Sequence, residues 1–164
     1  MKDKIIFIVI AVAAVLVGAA VLVSLSNRQS EIRSASLAAT SVPFTRLAEG
    51  KKSSVSERVN YIITSAAQMD ELWKMTDAVG APPPVDFKTH AVLAIFAGSE
   101  PCMAINVAKI EDADARQVSI VLAKPDGNCA DKIKATSPYE IVTVKVTPLP
   151  LTHMDTPTTV SCPD

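Results

Sequence analysis

Ala91-Val92-Leu93-Ala94-Ile95-Phe96-Ala97 carries no polar side chain and no alternation of polar with apolar. A continuous apolar run of this length suits a strand better than a helix, and reads as a central strand buried on both faces. His90 stands at its start, preceded by Val85-Asp86-Phe87, and Gly98-Ser99-Glu100-Pro101 follows its end. Downstream, residues 103–110 and 117–123 read as two strands. The polar break Glu111-Asp112-Ala113-Asp114-Ala115-Arg116 joins them as a hairpin. Pro125-Asp126-Gly127-Asn128 is a turn, and residues 141–146 form the last clear strand, which Pro148 and Pro150 keep from continuing.

Upstream of the central run the signals are a strand over 44–48 and another over 57–63. In the second, Val59, Tyr61 and Ile63 share one face and Arg58, Asn60 and Ile62 the other. The period then changes. Ser65 to Gln68 is a capping box, and Met69, Leu72, Trp73 and Thr76 recur at helical spacing. The spacing predicts a helix over 66–76 with Trp73 on its buried face, ended by Gly80 and the stiff Pro82-Pro83-Pro84. The expected fold is α+β: a mostly antiparallel sheet of five or six strands with one helix packed on it.

In front of this domain the chain changes character. From Ile5 to Val23 there is no charged or polar side chain, and as a helix the stretch would rise roughly 28 Å, near the thickness of a hydrocarbon core. It is apolar on every face, which a core helix of a small domain is not. One transmembrane helix is therefore expected, contacting membrane lipid from Ile5 to Val23. Lys2 and Lys4 precede it, so the N-terminus is expected inside and the domain outside the cytoplasm. A cleaved signal peptide, with Val17-Gly18-Ala19 as the processing site, is the alternative. The organisation expected is a cytoplasmic tail at 1–4, an anchor at 5–25, a flexible Ser- and Ala-rich linker at 26–43, the folded domain at 44–150 and a loose C-terminal tail at 151–164.

Several chemistries find no footing. With a net charge of −1 and no basic cluster, the 164-residue chain has no electrostatic basis for binding nucleic acid. No P-loop, dinucleotide fingerprint, nucleophile elbow or zinc-protease motif is present. His90 and His153 lack partners at ligand spacing, and Asp112-x-Asp114 has Gln117 where a calcium loop has glycine. No catalytic residue, metal ligand or cofactor is assigned. Cys102, Cys129 and Cys162 all fall in the portion expected outside the cytoplasm, where disulfides persist. Cys102–Cys129 would close the open end of the hairpin, Cys129–Cys162 would pin the tail, and an odd count leaves one thiol free or joined to another chain.

Val85-Asp86-Phe87, the turn from Gly98 to Pro101, the hairpin and Thr136-Ser137-Pro138-Tyr139-Glu140-Ile141-Val142, in that order, resemble the C-terminal domain of PrcB-type proteins. These are exported accessory subunits of bacterial surface protease complexes. The resemblance covers roughly residues 61–148 and departs at Cys102-Met103-Ala104-Ile105, where the family has a Thr-Gly-Gly-Tyr-like step. It implies a non-enzymatic accessory domain that binds a protein partner, an envelope protease among the candidates. Pro138-Tyr139 also has a purely structural reading: proline at a strand's start, and a tyrosine covering one end of the sheet with its hydroxyl in water. The alternatives are a structural envelope protein linked through its odd cysteine and a hydrolase with an unrecognised site.

Overall fold

The computed structural model describes residues 38–99, 104–126 and 136–161. The segment from Ile5 to Val23, Pro101, Cys102, Cys129 and Cys162 lie outside the described residues, and so do the expectations that rest on them. Among the described residues no helix is long and apolar enough to cross a membrane.

The folded unit starts at Ala39, earlier than the expected linker end. Its elements are β1 (Thr40–Ser41), β2 (Phe44–Gly50), β3 (Val59–Ile63), α1 (Ala66–Lys74), β4 (His90–Phe96), β5 (Ala104–Asp112), β6 (Arg116–Pro125), β7 (Tyr139–Lys145) and β8 (Leu151–Val160). The strands form two four-stranded sheets, ordered β1-β5-β6-β8 and β2-β7-β4-β3. All named pairings are antiparallel except β6 with β8, which run parallel. The α+β class and the dominant antiparallel pairing agree with the sequence. The single sheet of five or six strands is corrected to two sheets, because the β5–β6 hairpin pairs with β1 and β8 and lies in a layer of its own, apart from β2, β7, β4 and β3.

β4 explains why its run is apolar throughout. Leu93 and Ile95 face the other sheet, where they meet Ile105, Ile110 and Ile120, with Val142 of the neighbouring strand β7 beside them. Val92, Ala94 and Phe96 point the opposite way, into a second core with Met69 and Leu72 of α1. The domain thus has three layers, sheet on sheet on helix, and β4 and β7 are the strands wedged between two cores. Ser65 caps α1 by accepting from the Gln68 N–H at 3.3 Å, while Gln68 Oε1 accepts from the Thr64 N–H at 2.9 Å, one residue before the partner that a capping box uses. Trp73 is half-buried against the second core and donates its Nε1–H to the Gly80 carbonyl at 2.9 Å.

The hairpin of β5 and β6 forms as expected, with one irregularity. The pairing slips between Val107 and Lys109, inserting Ala108. That bulge lets Ile105 and Val107 before it and Ile110 after it all face the inter-sheet core. Glu140 of β7, fully buried between the sheets, accepts from the Val107 N–H beside the bulge and from Arg46 Nε of β2. Two further charged side chains bridge the layers. Arg116 of β6 pairs in two bonds with Asp112, each 2.7 Å, and donates to the Lys145 carbonyl of β7. Arg58, just before β3, pairs in two bonds of 2.8 Å with Asp155 of β8 and donates to the Phe96 carbonyl of β4.

The expected loose tail at 151–164 is corrected over most of its length. Pro148 and Pro150 do stop β7, but the chain then crosses to the other sheet. There, ten residues of β8 pair with β6 from Arg116↔Leu151 to Pro125↔Val160.

Candidate functional site

The residues singled out by the resemblance do not converge on one cleft. Gly98, Pro138 and Tyr139 meet where the end of β4 lies beside the start of β7: Phe96 is opposite Tyr139, and the Ala97 N–H donates to the Pro138 carbonyl at 2.9 Å. Gly98 has φ +80°, and a Cβ there would come within 2.8 Å of the Arg58 amide nitrogen, so the position needs glycine twice over. Thr136 precedes Ser137, whose hydroxyl bonds the Val55 carbonyl and the Ser53 hydroxyl, both at 2.6 Å. Val85, Asp86 and Phe87 are at the opposite end of β4. Val85 and Phe87 pack on the helix-side core, and Asp86 caps a turn by accepting from the Lys88 N–H at 3.1 Å and the Thr89 hydroxyl at 2.9 Å. Those two bonds, the hydroxyl's first, hold the Asp86 carboxyl below the usual carboxylate range.

Tyr139 corrects an expectation. Its side chain is 1 % exposed, and its hydroxyl bonds Thr76 and Asp77 rather than water. Burial, the largest influence, pushes the phenol above its ordinary value. The expected wet hydroxyl fails because the loop after α1 folds over the ring. His90 is exposed, with Nδ1 2.9 Å from the Thr89 hydroxyl, and His153 is exposed on β8. These motif residues hold the fold together.

A different surface stands out on comparing the four sheet edges. Exposed edges are normally blunted against pairing with foreign strands. β1 is two residues long. β2 is bulged between Arg46 and Ala48 and carries Arg46 and Glu49, joined by an ion pair. β8 contains Pro157, which has no N–H to offer, and the charged Asp155. β3 has none of these devices. It reads Val-Asn-Tyr-Ile-Ile, pairs with β4 in unbroken register, and has no second partner among the described strands. Ile62 is 51 % exposed and Tyr61 38 %, high for large apolar side chains in a strand.

Both faces of this edge open onto apolar hollows. On the helix side, Tyr61 and Ile63 with Ala67, Leu72 and Met75 form a broad groove of about 430 Å³. On the inter-sheet side, Ile62 and Thr64 form one wall of a narrower cavity of about 160 Å³, completed by Leu93, Val146, Leu149 and Leu151 among others. The nearby charges are paired: Arg58 with Asp155, Arg116 with Asp112, and Lys74 with Glu71 at 2.6 Å. A strand laid along β3 would therefore meet backbone groups in its plane and mostly apolar walls above and below, with Gln68 and Glu71 also lining the groove and Arg116 and Thr147 the cavity.

Compared with protein-family models, with curated proteins and with solved structures, the chain matches none. Of the residues at this edge, the sequence displayed the Val59, Tyr61, Ile63 alternation and the capped helix. It did not display Ile62 as a lining residue, nor Leu149 and Leu151, because which strand ends a sheet is decided by partners far away in the chain. The available signal was the lack of charge, proline and glycine across residues 59–63.

Proposed function

We propose that the chain is a membrane-anchored, extracytoplasmic accessory domain that binds a protein partner without catalysing a reaction, the partner adding an extended strand to β3. The observation that carries this is the contrast among edges: three are blunted and β3 is not. Strand addition draws its affinity from main-chain hydrogen bonds and its specificity from pockets for alternate side chains, and β3 offers both. The anchor from Ile5 to Val23 supports the location, and the resemblance to PrcB-type domains supports a partner drawn from a surface protease complex.

The test uses the full-length chain with an affinity tag, cross-linked in the membranes of the producing cell. Ile62→Lys places a charge on the edge, and Val79→Lys, at a loop position 97 % exposed, serves as the control. The expected result is one envelope protein recovered by wild type and by Val79→Lys and reduced about tenfold or more by Ile62→Lys. Equal recovery by all three, or none by wild type, would remove the proposal. Intact mass of the membrane-bound chain is expected to correspond to an uncleaved N-terminus.

A further inference from the structure

We infer that the segment received by β3 is an uncharged strand apolar on both of its faces, with aliphatic side chains toward the inter-sheet cavity and larger, including aromatic, side chains toward the helix-side groove. This rests on β3 being the binding edge and specifies what binds there. Side chains of a strand alternate between faces, so an added strand sends every second residue to each hollow. The two hollows differ. The cavity beside Ile62 is narrow, and about 150 Å³ of apolar space holds a single benzene-sized group, so one branched aliphatic side chain suffices to fill it. The groove beside Tyr61 and Met75 is wider and more open.

The charge pattern selects against the commoner amphipathic strand. Such a strand, polar on one face, would set polar groups against Leu93 and Leu151 or against Ala67 and Leu72. Removing them from water without a bonding partner is unfavourable. The guanidinium nearest the cavity, Arg116, is buried and already neutralised by the Asp112 carboxylate, with a further bond to the Lys145 carbonyl, so it offers no unpaired charge to a partner carboxylate. Arg58 is likewise committed to Asp155, Asn60 and two carbonyls. An uncharged edge with spent flanking charges is complementary to an uncharged strand. A partner segment of this composition would itself be insoluble when free, which suits a subunit that holds such a strand during assembly.

Three synthetic peptides with lysine pairs at both ends test the assignment on the full-length chain in detergent micelles. One alternates valine and phenylalanine, one alternates valine and serine, and one alternates phenylalanine and serine. Binding of the first at least about tenfold tighter than either of the others, with new hydrogen-exchange protection at residues 59–63, is the expected result. Comparable binding of a peptide with one polar face would overturn the two-faced requirement while leaving the edge as the binding site, provided that Ile62→Lys still lost the membrane partner. Failure of all three peptides overturns the inference. Light scattering then identifies a second copy at the edge if the chain is a dimer that Ile62→Lys dissociates. Protection of 59–63 in a monomer identifies a segment of the chain's own.

Discussion

Gly50 sits at the end of β2 with its α-carbon against the face of Tyr139. A Cβ at this position would lie 2.5 Å from Tyr139 Cε1 and would also strike Asp77 Oδ1. Its φ is not positive, so the requirement is for space and not for backbone freedom. Gly50→Ala should therefore cost about 1–3 kcal/mol, the range for overpacking a tight site, measured as a lowered urea midpoint with unchanged slope. Gly80 provides the contrast: φ is +88° there, with nothing within 4 Å of an added Cβ. Glu140 makes a separate residue-scale case. Glu140→Leu keeps approximate volume but leaves the Val107 N–H without its carboxylate in the dry space between the sheets. A loss of about 1–3 kcal/mol is expected, read from the same titration.

At the scale of elements, β8 shows what sequence reading captures and what it misses. β4 was legible because burial on two faces requires apolar residues everywhere, and α1 because its cap and its apolar stripe are local. The β5–β6 hairpin was legible through its polar loop. β8 was not: Leu-Thr-His-Met-Asp-Thr-Pro-Thr-Thr-Val has no clean alternation, since most of its side chains face water and its hold on the domain is backbone pairing with β6. Backbone pairing leaves little trace in side-chain type. β3 was legible as a strand but not as an edge, for the related reason that an edge is defined by the strand that is missing. If β8 is integral, a chain ending at Pro150 loses the parallel partner of β6, the Asp155 carboxylate that Arg58 needs and the cover that Leu151 gives the first core. Such a chain should lose its cooperative unfolding transition, followed by circular dichroism. Unaltered unfolding would show β8 to be dispensable.

For the whole molecule, the two sheets meet through an apolar core crossed by a few charged bridges, and the bridges give stability a pH dependence that the core lacks. The Arg116 guanidinium, through its hydrogen bonds, holds the Asp112 carboxyl below its ordinary value of 3.8. A carboxyl with a depressed folded pKa binds its proton more weakly folded than unfolded. Its contribution is complete above the unfolded pKa and disappears as pH falls through the folded one. Tyr139 acts at the other extreme. Burial raises the phenol above 10.0, so its contribution is complete below that value and is lost as pH rises through the folded pKa. Stability should thus be level between these limits, falling in acid below about 4 and in alkali above about 10. Asp112→Asn should be less stable than wild type at neutral pH and lose less on acidification, the two curves converging as Asp112 becomes protonated. Urea midpoints across the acid range check this: parallel curves would show that the Arg116–Asp112 pair of the β5–β6 hairpin does not couple folding to pH.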